Sequence, residues 1–297
     1  MSSLAQLLQD PPPAHVFELS EAGIAYAKIA KTGGAPDVQM QRFEPGVITV
    51  SPVHDNVQRP DHLFSYIEGL APANGNKKRR AALILPDYAA RVAVLDFDSF
   101  PTNHEEQRAL VRFRMKKSVP FDVDNAMVSY FPQARAVAKG SKYEVVVAVM
   151  ANEIVGRYEE PFRTAGFHPG LVTTSSLSVL NLIEPDGVTL IVKLNGSNLT
   201  AIVLDGSIVK LVRCVEISEQ SLEEVESVVL PTLAYIEDEL ASAPKRILLC
   251  GLGALGEQVS RAWANDWNVK IEAIASRFGT PGPVNAGLLG YLESVNS

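Results

Sequence analysis

The stretch that most constrains the fold runs from Gly187 to Ile217, where three apolar, β-branched runs are separated by Asn195-Gly196 and Asp205-Gly206. Asn, Asp and Gly tolerate positive φ, which tight hairpin turns demand, so the pattern predicts a three-stranded antiparallel meander. Before it, short strand-like runs at His15–Leu19, Ile24–Ile29, Val38–Val50 and Ala82–Leu85 surround a helix that starts after Arg59-Pro60. After it come a long helix from about Ser221 to Ala241, a strand at Lys245–Cys250, a helix at Gly256–Asp266, a strand at Val269–Ile274 and a last helix at Val284–Val295. Pro231 predicts a kink in the long helix or two abutting ones. The order of elements is similar in the two halves, with no repeat of sequence.

Between the halves a different unit is expected. Arg91–Phe97, Met127–Phe131 and Tyr143–Met150 read as strands, and His104–Ser118 as a basic amphipathic helix ended by Val119-Pro120-Phe121. Asn152–Ala165 reads as a helix with Asn152 as N-cap and Gly166 as its stop. A short strand at Leu171–Thr173 and a helix at Ser175–Ile183 then return to the first unit. Met1–Pro13, ending in three prolines, reads as a mobile leader.

Composition narrows the function. With 297 residues, 46% apolar and 21% charged, the chain is long enough for one large or two modest cores. A formal charge of −7 argues against a general affinity for nucleic acid or anionic lipid. The basic cluster Lys77-Lys78-Arg79-Arg80 reads as a solvated loop, with a contact to phosphate or an acidic partner as the alternative. Cys214 and Cys250 lie in apolar strand-like runs and read as buried free thiols of a cytosolic protein. The five histidines are scattered without metal-ligand spacing, so no metal site is expected. No apolar run approaches the roughly 18 residues of a membrane span, and a cytoplasmic protein is the default expectation.

Three stretches resemble the PilM-type pilus assembly proteins, actin-fold relatives of the cell-division protein FtsA. The first is Leu85-Pro86, Arg91–Leu95, Glu105-Glu106, Val119-Pro120-Phe121 and Tyr130. The second is the apolar run Val145–Ala151 with Ala165-Gly166-Phe167-His168-Pro169. The third joins Arg246–Ala254 to Asn285-Ala286-Gly287-Leu288-Leu289-Gly290. The resemblance spans most of residues 15–292 and is moderately specific only as a set. It implies an α/β, actin-like (ribonuclease H-like) two-domain fold with an inserted FtsA/PilM-type subdomain and a reduced second-domain lid. The expected division is 14–90 completed by 171–186, an inserted subdomain 91–170, and a second domain 187–297.

Measured against that resemblance, the nucleotide site is degenerate. The first phosphate loop of the family, Asp-x-Gly-Ser, is replaced by Glu18-Leu19-Ser20-Glu21-Ala22-Gly23. Backbone N–H groups approach a phosphate closely only where Gly permits the bend, and two carboxylates repel the anion unless a metal bridges them. The Asp of the second loop is replaced by Lys193, in Lys193-Leu194-Asn195-Gly196, which removes a ligand of magnesium-bound water. The lid after the meander is missing. The degenerate positions are thus Glu18, Ser20, Lys193, Asn195, Gly251, Gly253 and Ala254; no catalytic residue and no cofactor are expected, and the alternative is that ATP with magnesium still binds.

A competing motif is the full G-x-G-x-x-G of Gly251-Leu252-Gly253-Ala254-Leu255-Gly256, after a strand and before a helix, with Glu272 at the end of the next strand. That is a dinucleotide fingerprint. A dinucleotide fold needs further parallel strands, which neither the preceding meander nor the few residues after Glu272 supply. A tight turn with Gly for close packing is the leading reading. Asp96, Asp98, Glu105 and Glu106 form an acidic cluster read as solvated, and Trp263 and Trp267 a stripe read as core before interface.

The resemblance therefore implies a non-enzymatic cytoplasmic scaffold of a type IV pilus or related secretion assembly, at the inner face of the inner membrane. In the PilM family a groove between the first domain and the inserted subdomain takes up the cytoplasmic tail of a bitopic PilN-like protein. By position it would involve Arg91–Asp96, Glu105–Lys116 and Val119–Phe121, with Arg91, Val94, Asp96, Arg112, Pro120 and Phe121 as partner-binding candidates. The basic residues Arg108, Arg112, Arg114, Lys116 and Lys117 read first as a solvated helix face, with a contact to an acidic partner or lipid heads as the alternative. Rivals are a surviving ATPase or sugar-kinase-like enzyme, the cytoplasmic domain of a type II secretion L-protein, and a Rossmann oxidoreductase. The L-type family continues into a membrane helix, for which this sequence holds no run of sufficient length.

Overall fold

The computed structural model describes residues 11–29, 36–73, 79–133, 142–267 and 269–296. Most of the expected leader, and Lys77 and Lys78 of the basic cluster, lie outside them. Three sheets organise the chain. The first orders its strands β3-β2-β1-β4-β8, formed by β1 (His15–Leu19), β2 (Gly23–Lys28), β3 (Val38–Arg42), β4 (Arg79–Leu85) and β8 (Phe167–Thr174). Strands β1, β2 and β3 pair antiparallel, while β4 runs parallel to both β1 and β8. Only the start of the expected strand Val38–Val50 is strand, because the chain then turns and Ile48 forms an isolated bridge with Val57. Helix α1 (Pro60–Leu70), with Pro at its first turn, buries Leu63, Ile67 and Leu70 against this sheet.

The inserted unit is a three-stranded sheet ordered β5-β7-β6, of β5 (Arg91–Phe97), β6 (Ala126–Pro132) and β7 (Tyr143–Ala151). Helix α2 (His104–Met115) covers one face through Val111 and Met115. Asn103 caps it by accepting from the N–H groups of Glu105 and Glu106, while those two carboxylates favour the positive end of the helix. Helix α3 (Asn152–Thr164) starts one residue earlier than expected: Ala151 holds the N-cap position without a side-chain hydrogen bond, and Asn152 is already helical. At its other end Gly166 adopts φ +79°, the left-handed stop the sequence predicts.

Two helices pack across the boundaries read from the sequence. Within the expected insert 91–170, α3 buries Ile154, Tyr158 and Phe162 in the core of the first sheet. Its apolar stripe meets α1 there, while its Val155 and Glu159 border the inserted sheet beside Met127 and Ala148. Helix α4 (Ser175–Val179) leads to the meander: β9 (Val188–Asn195), β10 (Asn198–Asp205) and β11 (Ile208–Glu216). Both turns adopt the predicted positive φ, +61° at Gly196 and at Gly206. Helix α5 (Leu222–Leu240) is continuous through Pro231, and its N-cap Ser221 accepts from the Glu224 N–H. Next come β12 (Arg246–Cys250), α6 (Ala254–Asp266) and β13 (Lys270–Ala273), giving a sheet ordered β11-β10-β9-β12-β13. The final helix α7 (Ala286–Val295), at the end of the expected second domain, instead lays Leu288, Leu289 and Leu292 on Val16, Ala25 and Ile84 of the first sheet.

The antiparallel β9–β10–β11 half of the last sheet rules out a doubly wound dinucleotide fold around Gly251. Gly251 has a packing reason instead: a Cβ there would sit 2.2 Å from the Leu194 carbonyl oxygen. Glu272 pairs with Lys270 at 2.9 Å. Trp263 is buried, donates to Glu226 and stacks on Trp267, so the pair belongs to the core of the second lobe. Among the described residues no helix is long and apolar enough to cross a membrane.

Candidate functional site

The two lobes meet on the face of the meander sheet that alternation turns away from α5 and α6. There one row crosses four strands: Cys250 is registered with Lys193, Lys193 with Thr200, and Thr200 with Cys214. Lys193 is 1% exposed, and its ammonium lies 2.8 Å from Asp87 Oδ2. Asp87 sits in a single helical turn at the end of β4, where a parallel sheet presents ligand sites. Its carboxylate also accepts from the Ser176 N–H at 2.6 Å, the Ser176 hydroxyl at 2.5 Å and the Thr200 hydroxyl at 3.3 Å. Burial alone would lower the Lys193 pKa, but the carboxylates of Asp87 and Glu18 more than offset it and hold the ammonium charged.

Glu18, fully buried on β1, completes this centre. One carboxylate oxygen accepts from the Ser175 hydroxyl at 2.5 Å, the other from the Leu288 N–H at 2.7 Å in the first turn of α7. Burial pushes its pKa up to about 7, against the attraction of Lys193 and these hydrogen bonds. The remaining predicted positions are spent on local structure. Ser20 Oγ exchanges hydrogen bonds with Gly23 inside its own turn, and Glu21 accepts from the Val50 N–H. Asn195 is buried, and its Nδ2 has no hydrogen-bond partner among the described residues. Gly251 and Gly253 line a separate cavity of about 570 Å³ together with Ser260, Arg261 and Thr280, while Ala254 opens α6 and is not part of its lining. Among the described residues no cluster of His, Cys, Asp or Glu could hold a metal ion.

The partner-binding candidates do not form one surface. Arg91 and Pro120 share a cavity of about 470 Å³ with Tyr88 and Cys214. Arg112 donates to the carbonyls of Val123, Asp124 and Ala126 and so closes the turn before β6. Phe121 packs toward the α2 core, the exposed Asp96 offers its carbonyl to Arg114, and alternation sends Val94 to the opposite face of the sheet. That opposite face holds an open groove. Met127 and Phe131, 57% and 67% exposed, flank Ser129 on β6, an edge strand that pairs only with β7 among the described residues. Two cavities of about 190 and 320 Å³ share Ser129, Ala148 and Leu177, so they form one groove between β6 and α4.

Asp87, Ser175, Ser176, Thr200 and the groove residues Met127, Phe131, Thr174 and Leu177 were not singled out from sequence. A usable signal existed for three of them. Asp87 follows a buried parallel strand through Pro86, and Met127 and Phe131 alternate with Val128 and Tyr130.

No family model and no curated protein matches the chain. Solved structures do. A "PilM-PilN type IV pilus biogenesis complex" superposes with a TM-score of 0.73 at 17% identity, covering 97% of this chain and 100% of that one. The cytoplasmic domain of EpsL, an inner-membrane component of the type II secretion system of Vibrio cholerae, gives 0.54 at 11%, covering 95% and 94%. A Bacteroides thetaiotaomicron protein with an actin-like ATPase fold gives 0.54 at 9%, covering 92% and 93%. At these identities the likeness is one of fold. The chain has the actin-like fold, in an arrangement similar to that of PilM in its complex with PilN.

Proposed function

We propose that the chain is a non-enzymatic scaffold of a pilus or secretion assembly, positioned at the cytoplasmic face of the inner membrane by a partner. The observation that carries this reading is the buried Lys193–Asp87 ion pair, which fills the inter-lobe cleft with a fixed positive and negative charge of the protein's own. An actin-like ATPase needs that space for phosphates and their metal. The groove between β6 and α4 supplies the binding surface: apolar walls and an edge strand suit an extended segment. Its proposed occupant is the cytoplasmic tail of a PilN-like bitopic membrane protein, the kind of partner named with the structurally similar PilM.

A titration with ATP and magnesium, followed by thermal shift, tests the first part. No stabilisation is expected at millimolar ligand, whereas a shift of several degrees would overturn the pseudo-ATPase reading. The second part is tested with a synthetic PilN-type tail peptide. Met127→Asp should abolish its binding while leaving the fold intact, because Met127 is exposed. The second reading, a weak nucleotide-binding protein, is favoured by the open cavity beside Gly251 and Gly253. Under it the same titration shows saturable stabilisation, and Lys193 and Glu18 become the first positions to substitute. An L-type secretion domain shares the fold and the non-enzymatic reading, and differs in its partner.

A further inference from the structure

Five consecutive residues touch everything described above. Thr174, the N-cap of α4, and Leu177 line the groove. Between them Ser175 donates to Glu18, and Ser176 gives both its N–H and its hydroxyl to Asp87, the partner of Lys193. Ser178 donates to the Gly287 carbonyl of α7 at 2.6 Å. The segment has no slack on its far side, where α7 lies against it through two glycines. A Cβ on Gly290 would fall 2.0 Å from the Ser178 carbonyl oxygen, and one on Gly287 2.9 Å from Ser175 Cα. One buried polar atom points to an occupant: Thr174 Oγ1 has no hydrogen-bond partner among the described residues although the residue is only 3% exposed.

We propose that Thr174–Ser178 couples the groove to the Lys193–Asp87 pair, so that a segment seated in the groove and the closed inter-lobe pair stabilise each other. The inference rests on the reading of the groove as a docking site for an apolar segment. An occupant that packs on Leu177 and takes up the Thr174 hydroxyl holds the α4 backbone where Ser176 makes both bonds to Asp87. Ser176 and Asp87 both sit on the first lobe, so opening the lobes takes Lys193 away from Asp87, and the carboxylate left behind is free to turn from Ser176 and release the groove wall. Reciprocity then follows from linkage: whatever the pair adds to the affinity of the groove, the occupant adds to closure of the pair.

Cys250 reports the closure, because its thiol is buried at the lobe interface beside Lys193 and burial pushes its pKa up to about 12. The experiment uses the full chain with Ser129→Cys, modified by 2-(hexanoylamino)ethyl methanethiosulfonate so that an alkyl chain carrying an amide, able to accept from the Thr174 hydroxyl, is tethered in the groove. Carboxamidomethylation of Cys250 is followed by mass spectrometry, and amide exchange of β6 and α4 shows whether the groove is filled. The adduct is expected to slow Cys250 labelling at least about fivefold, the lower end of ordinary coupling. That slowing should shrink in Ser176→Ala, a mild change, and vanish in Lys193→Met/Asp87→Asn. Protected β6 and α4 amides with unchanged Cys250 labelling would overturn the coupling and leave the groove reading standing. So would a slowing that survives undiminished in both lock variants. An adduct that protects neither β6 nor α4 would overturn the groove reading together with the coupling.

Discussion

Glu18 is the residue at which pH should act. Its carboxyl titrates at about 7 in the folded chain against an ordinary 4.5, because burial disfavours the charged form. Between those values the folded state holds a proton that the unfolded state has lost, so the contribution of Glu18 to stability falls as pH rises from about 4.5 to about 7. His15 works in the opposite direction. Burial, then Lys28 and Arg79, lower its pKa to about 4, so its contribution rises with pH up to the ordinary imidazole value of 6.5. Glu18→Gln keeps an acceptor for the Leu288 N–H and isolates the Glu18 term by subtraction. Urea midpoints at several pH values should show wild type losing stability relative to Glu18→Gln across this window, with no further divergence well above pH 7. A constant difference would mean that Glu18 is ionised throughout.

At the scale of elements, the contact between α4 and α7 is set by glycine. Gly287 and Gly290 lie one turn apart on α7, where they admit the α4 backbone to a distance that no Cβ allows. Gly290→Ala removes a helix-interior glycine and should therefore stabilise α7 in isolation. Overlap with the Ser178 carbonyl reverses the sign, with a net loss of about 1–3 kcal/mol expected from overpacking. Thermal denaturation checks it, and a raised Tm would sink the close-packing account.

The same elements mark what could be read from the sequence. The meander and its two turns were legible because Asn195-Gly196 and Asp205-Gly206 state their backbone needs locally. The Gly287-x-x-Gly290 spacing was legible as a feature of the last helix, but the surface it meets was not, since its partners lie on α4. The packing of α3 in the first core was missed for the same reason: an amphipathic stripe says that a helix buries one face, and not which sheet it covers. Lys193 was visible as a lost acid. Its role depends on Asp87, a long-range partner that no local pattern connects to it.

For the whole molecule, Lys193 and Asp87 decide whether the two lobes unfold as one. Each lobe has a core of its own, and a third cluster, including Val92, Val179, Ile191 and Ile202, joins them beside the ion pair. Lys193→Met replaces the ammonium by an apolar group of similar length and strands the Asp87 carboxylate in a buried site. Breaking one side of a buried pair costs about 3–5 kcal/mol. Adding Asp87→Asn removes the stranded charge while leaving an acceptor for Ser176, so the double variant should regain part of that loss. Both tryptophans lie in the second lobe, whereas far-UV circular dichroism reports on both lobes. In wild type the two probes should give coincident urea transitions, as a single cooperative unit requires. In Lys193→Met they should separate, because the remaining apolar contact no longer ties the lobes strongly enough to unfold them together. If Lys193→Met instead keeps coincident transitions within about 0.5 kcal/mol of wild type, the size of an ordinary surface substitution, the pair is not what holds the lobes closed. Closure would then rest on the apolar cluster and on α7, and an inter-lobe cleft held only by those contacts would be free to open for a ligand.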